Sequence, residues 1–137
     1  SEKTYVEGYI TIEGADHILD KMRNLLSQVE KRVYISCTRN YLLLLVRELE
    51  DLIRDKKKVV IITDQPASFD NAKVYVGENR GMQIGLIADS RYVLTGEYGE
   101  GSMNTCLYSG QKNFVELYKT ALSNEIKLLS MREENQQ

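Results

Sequence analysis

The chain has 137 residues, 42% of them hydrophobic and 28% charged, enough for one core of its own and too few for two ordinary domains. A formal net charge of -2 has the wrong sign for a surface that grips nucleic acid through its phosphates. No apolar run is long enough to cross a bilayer, since residues 42–46 run straight into Arg47 and Glu48 and residues 59–62 are only strand-sized. The opening Ser1-Glu2-Lys3 lacks both an initiator Met and a basic-then-apolar leader, so the chain reads as a fragment of something longer.

Residues 4–10 have strand character weakened by Gly8. Ala15, Ile18, Leu19, Met22, Leu25, Leu26 and Val29 then recur at helical spacing, with Asp20, Lys21, Asn24 and Gln28 on the other faces. Residues 32–37 form a β-type run. Leu42, Leu45, Val46, Leu49, Leu52 and Ile53 rebuild the helical period, and residues 59–62 supply an uninterrupted apolar strand. Strand, helix and strand in that order predict a parallel pair covered on both faces.

Beyond Asp64-Gln65-Pro66 a polar loop leads into shorter strand candidates at 73–76, 82–88, 92–97 and 104–108, with Asp89-Ser90 as a hairpin turn between two of them. Ser109 offers an N-cap to a last helix whose inner face is Phe114, Val115, Tyr118, Ala121, Leu122, Ile126 and Leu129. Residues 131–137 are polar and expected to fray. The order β-α-β-α-β-β-β-β-α predicts a three-layer α/β/α fold around a mixed sheet, one domain over residues 1–130 followed by a polar tail at 131–137.

Few residues carry chemistry. His17, the only histidine, lies on the polar face of the first helix near Asp20 and Lys21, and reads as a solvated side chain without a nucleophile to serve. Gly96-Glu97-Tyr98-Gly99-Glu100-Gly101 reverses the dinucleotide fingerprint and lies between strands, where loop flexibility explains it and two glutamates repel a phosphate. Cys37 and Cys106 suit buried thiols, and two cysteines are too few for a zinc site; no metal or cofactor is expected. In open α/β sheets ligands settle beyond the carboxyl ends of parallel strands, which gathers Thr38, Arg39, Asn40 and Asp64 as a candidate ligand-binding set; helix capping and loop charge are the plainer roles for the same residues. Asp89 joins the set as a carboxylate at the hairpin turn, where serving the turn is the alternative. Leu43 and Leu44 widen the second helix's apolar surface and suit either core or a subunit interface.

Gly81-Met82-Gln83-Ile84-Gly85-Leu86-Ile87-Ala88-Asp89 has the outline of the phospholipase D-type motif His-x-Lys-x-x-x-x-Asp, with Met82 in place of the nucleophile and Ile84 in place of the cation. Only Asp89 matches. The Gly-Ser-x-Asn that accompanies this motif falls at Gly96-Glu97-Tyr98-Gly99 and does not match, while a literal Gly101-Ser102-Met103-Asn104 stands out of register a few residues later. Without an imidazole to attack and a cation to hold the phosphate, phosphoryl transfer of that type has no machinery, and no catalytic residue is assigned. With Val33-Tyr34-Ile35-Ser36, Lys58-Val59-Val60-Ile61-Ile62 and Ile12-Glu13-Gly14 opening the first helix, nearly the whole chain resembles the phospholipase D-like C-terminal domain of TrmB-family transcriptional regulators. The resemblance implies a cytoplasmic, non-catalytic, effector-sensing or dimerisation domain: a homodimer with a small-molecule effector such as a sugar, no membrane contact, and DNA bound only through an N-terminal winged helix outside this chain. A phosphodiesterase half-domain completed by a partner and a purely structural dimerisation module are the alternatives.

Overall fold

The computed structural model describes residues 8–78 and 81–135, and these form one seven-stranded mixed sheet between two helical layers. In chain order the strands are β1 (Tyr9–Glu13), β2 (Arg32–Ser36), β3 (Lys58–Thr63), β4 (Lys73–Val76), β5 (Gln83–Ala88), β6 (Tyr92–Glu97) and β7 (Thr105–Ser109). The helices are α1 (Ala15–Ser27), α2 (Arg39–Leu42), α3 (Val46–Arg54) and α4 (Lys112–Asn135), with a 3₁₀ turn at Leu43–Leu45. Across the sheet the order is β1-β7-β6-β5-β2-β3-β4. β2, β3 and β4 are parallel neighbours, and every other pairing is antiparallel.

Side-chain alternation assigns each strand residue to a layer. Val33, Ile35, Val59, Ile61, Ile84, Leu86 and Leu94 join the core beneath α1, α2 and α3, whereas Ile62, Ile87 and Val93 face α4 with Val115, Leu122 and Leu129. The continuous apolar runs of β3 and β5 follow from this double cover. Such a run does not encode direction: β3 runs parallel to β2, and β5, equally buried, runs antiparallel to it.

Four local expectations are corrected. Residues 4–7 of the predicted first strand, 4–10, lie outside the described residues; the strand present is Tyr9–Glu13, paired with β7 at the sheet edge, and Gly14 at φ 96° turns the chain into α1. Ile12 and Glu13 therefore end a strand. The predicted second helix is broken by the 3₁₀ turn, which rotates Leu42 and Leu45 into the core and leaves Leu43 and Leu44 exposed. The Leu44 carbonyl there accepts from the Arg23 guanidinium at 3.2 Å. Ser109 does not cap α4. It is the last residue of β7, its hydroxyl donating to Gly8 O and accepting from Gln111 N–H, while Gln111 Oε1 accepts from Phe114 N–H and does the capping. Finally, α4 continues to Asn135 and leaves Ala121 exposed. The β5–β6 turn forms at Asp89 and Ser90 as expected, both at φ 55°, with Arg91 N–H donating to Ala88 O at 2.9 Å and Ala88 pairing with Tyr92 beyond it.

Candidate functional site

The carboxyl ends of β2 and β3 and the start of β5 meet at one end of the central strands, because β5 is antiparallel to β2 and brings Gly85, near its start, opposite Ser36, the last residue of β2. A cavity of about 500 Å³ opens there, lined by Thr38, Asn40, Tyr41, Leu44, Asp64, Gly81, Met82, Tyr98 and Gly99. Three of the residues gathered from sequence, Thr38, Asn40 and Asp64, thus share one wall. Thr38 caps α2, its hydroxyl accepting from Tyr41 N–H at 3.2 Å, and Asp64 Oδ1 accepts from the Arg39 backbone N–H at 2.8 Å. That bond ties the β2–α2 loop to the end of β3. Arg39 gives its backbone N–H to that bond and does not line the cavity.

Asp89 lies elsewhere. Seven residues of extended chain separate it from Met82, roughly 20 Å at strand rise. Its carboxylate accepts from three successive backbone N–H groups leading into β2: Glu30 at 2.9 Å, Lys31 at 2.7 Å and Arg32 at 3.1 Å. The one matched member of the His-x-Lys-x-x-x-x-Asp pattern therefore holds a turn.

The other two positions of that pattern diverge in environment. Met82 is 43% exposed and its thioether forms part of the cavity wall, while Ile84 is 4% exposed and belongs to the core under the first helical layer. A thioether offers neither a transferable proton nor a charge, and the buried aliphatic chain below it excludes a cation. His17 is remote on α1, its Nδ1 at 3.0 Å from Glu13 O at the end of β1. Among the described residues Asp64 is the only charged group lining the cavity, and no cluster of His, Cys, Asp or Glu suits a metal ion.

Sequence reasoning missed the aromatic wall. Tyr41 meets Tyr98 edge to face with ring centroids 4.3 Å apart, joining α2 to the β6–β7 loop. Burial, then the neighbouring Tyr98, pushes the Tyr41 phenol above its ordinary range, and its hydroxyl is buried without a hydrogen-bond partner among the described residues. Tyr98 is held in turn by its N–H donating to Met82 O at 2.9 Å. Two tyrosines among nine carry no local signal; only the antiparallel return of β5 and β6 brings them together.

The Gly101-Ser102-Met103-Asn104 stretch also serves the loop. Asn104 Oδ1 accepts from Gly99 N–H at 3.0 Å, and Ser102 Oγ accepts from Asn104 N–H at 3.0 Å. At Gly96 a Cβ would meet Thr105 O at 2.1 Å, so the close approach of β6 to β7 requires glycine there.

Mixed strand order, a helical layer on each face and a cavity where β5 begins define a phospholipase D-like fold. Among solved structures it is shared by TrmBL2, described as an archaeal chromatin protein with a novel mode of DNA binding, at TM-score 0.72 and 13% identity over 91% of this chain. The chain spans about half, 54%, of the length of TrmBL2. NucT from Helicobacter pylori matches at TM-score 0.66 and 14% identity, covering 88% of this chain and 97% of NucT. Nuc from Salmonella typhimurium, a phospholipase D family member, matches at TM-score 0.58 and 9% identity, covering 85% of this chain and 92% of Nuc. At the level of sequence no known family and no curated protein matches. Among the described residues no helix is long and apolar enough to cross a membrane.

Proposed function

We propose that this chain is a non-catalytic, effector-sensing domain of a TrmB-like DNA-binding regulator, working as a homodimer whose cavity recognises a small uncharged ligand. One observation carries the reading: where the cavity opens at the carboxyl ends of β2 and β3 its wall holds Met82, and Ile84, two residues on, is buried in the core. Asn40, Asp64 and Tyr98 supply hydrogen-bonding groups around apolar Met82 and Leu44, a mix that suits a polyhydroxylated ligand such as a sugar. A phosphorylated ligand is disfavoured, because its charge would face Asp64 with no cation among the described lining residues. The unpartnered Tyr41 hydroxyl adds support, since buried unsatisfied donors persist where function retains them. TrmBL2, whose structure concerns DNA binding, supports the regulatory setting. A ligand would act there by binding two arrangements of the dimer unequally.

A thermal-shift screen of unphosphorylated mono- and disaccharides beside their phosphates tests the proposal. An unphosphorylated sugar should raise the melting temperature by mass action, by about 2.7 kcal/mol of apparent stability at a hundredfold excess over its dissociation constant. Asp64→Asn should weaken that shift. Silence across the screen from a chain that is dimeric by light scattering would favour a purely structural module, and hydrolysis of bis(p-nitrophenyl) phosphate by the purified chain would favour a phosphodiesterase.

A further inference from the structure

Helix α4 carries two apolar faces. The inner one, Val115, Leu122 and Leu129, packs on the sheet. On the outer one Leu117, Leu128 and Met131 are 70%, 62% and 58% exposed, with Ala121 and Asn124 also exposed between them. At 3.6 residues per turn these five positions fall within a stripe roughly 80° wide, turned away from the inner seam. Isolated surface leucines need no explanation, but a stripe at i, i+4, i+7, i+11 and i+14 has the spacing of a helix-pairing seam.

We propose that α4 is the dimerisation helix of this domain, pairing antiparallel with α4 of a second copy about a two-fold axis that crosses it between Leu122 and Ser123. A second copy is the occupant because the stripe complements itself. Around that point Leu117 lies at the same distance as Leu128, so the two leucines meet across the seam twice by symmetry, with Ala121 near Asn124 of the copy between them. Small Ala121 near the centre lets the backbones approach. The same rotation brings Glu116 beside Lys127 of the copy on the same flank of the seam, twice by symmetry. Both residues are exposed, and neither is in a salt bridge within the described residues. Parallel pairing would leave these opposite charges eleven residues apart along the axis, ~16 Å, and their attraction unused. The arrangement places the pairing helix on the face of the sheet opposite α2, whose Asn40 and Tyr41 line the cavity, so it stands whether or not that cavity takes a ligand.

Sedimentation of the 137-residue chain over a concentration series tests the register. Glu116→Lys and Lys127→Glu should each raise the dissociation constant roughly tenfold, and the double exchange should restore it to within about threefold. Leu117→Glu should yield monomer. Circular dichroism should be unchanged in all four variants, since every altered side chain is exposed. A chain monomeric at ~100 µM would overturn the proposal together with the homodimer of the previous section. A dimer that none of these substitutions weakens, or a double exchange no tighter than the single ones, would overturn the α4 surface alone. The sugar-induced melting shift, measured separately on Leu117→Glu, reports on the cavity independently.

Discussion

Replacing Asp89 by alanine separates scaffold from site. Its carboxylate takes three backbone N–H groups, from Glu30, Lys31 and Arg32, and its backbone sits at φ 55° in the hairpin turn. Hydrogen bonds to a charged acceptor contribute about 1.5–3 kcal/mol each when buried. Asp89 is only partly buried, so water recovers part of this, while alanine adds about 1 kcal/mol for its left-handed backbone. The sum is a loss of roughly 3 kcal/mol, which for a domain of this size lowers the melting temperature by about 10 °C. Asp89→Asn keeps Oδ1 for Lys31 and Arg32, tolerates the backbone, and sets an amide NH₂ against the Glu30 N–H; about half the loss should remain. The assay is thermal and urea unfolding, followed by sugar titration of whatever stays folded. Ligand affinity in the folded variant should match the parent, because the cavity lies at the other end of β5. A melting temperature within about 2 °C of the parent, or lost binding in a fully folded variant, would refute the assignment of Asp89 to the turn.

Gly96→Ala should be more severe, about 3 kcal/mol or more, because the added methyl meets β7 backbone that cannot rotate aside; failure to accumulate folded protein is the expected readout. Ile84→Lys restores the charge of the phospholipase D-type pattern but buries an ammonium in the core, and should destabilise by about 3–5 kcal/mol without conferring phosphodiesterase activity. The Cys106 thiol, pushed by burial from 9.0 up to about 11, should react with thiol reagents at pH 8 roughly a hundredfold more slowly than an ordinary cysteine, and at the ordinary rate in urea. Burial likewise raises the Tyr41 and Tyr108 phenols. For all three acids the folded value lies above the unfolded one, so their contribution to stability is complete below about pH 9 and is lost as pH rises beyond it; urea midpoints should be flat from pH 6 to about 8.5 and then fall. A midpoint that rises between pH 9 and 11 would contradict this sign.

Much of the fold was legible because binary pattern and turn chemistry act locally. The strand-helix-strand-helix opening, the run of strands after it and the last helix appear in that sequence, with five strands after the second helical segment where the β-α-β-α-β-β-β-β-α order has four; the Asp89-Ser90 turn forms as well, since alternation and left-handed turn residues leave their mark over a few positions. Strand direction and neighbours were less accessible. β1 sits beside β7, 94 residues away at the Ile12–Cys106 bridge to 100 at Tyr9–Ser109, a partner no local pattern specifies. The break at Leu43–Leu45 was invisible because leucine favours helix at every one of these positions; the core decides which leucines turn inward. At the site, Thr38, Asn40 and Asp64 could be gathered by the rule for carboxyl ends of parallel strands, whereas Tyr41 and Tyr98 come from segments that only the finished sheet brings together.

The clasp at Asn104 has a practical consequence. Because its side chain closes back on Gly99 and its carbonyl accepts the Gly14 N–H, both feet of the β6–β7 connection are fastened independently of the tip at Met103. The tip is thereby a permissive labelling point. A fluorescent label carried on Met103→Cys, a side chain 81% exposed, should leave the Ser102–Asn104 bond and Tyr98 in place, and would furnish a reporter beside the cavity mouth that the sheet does not feel.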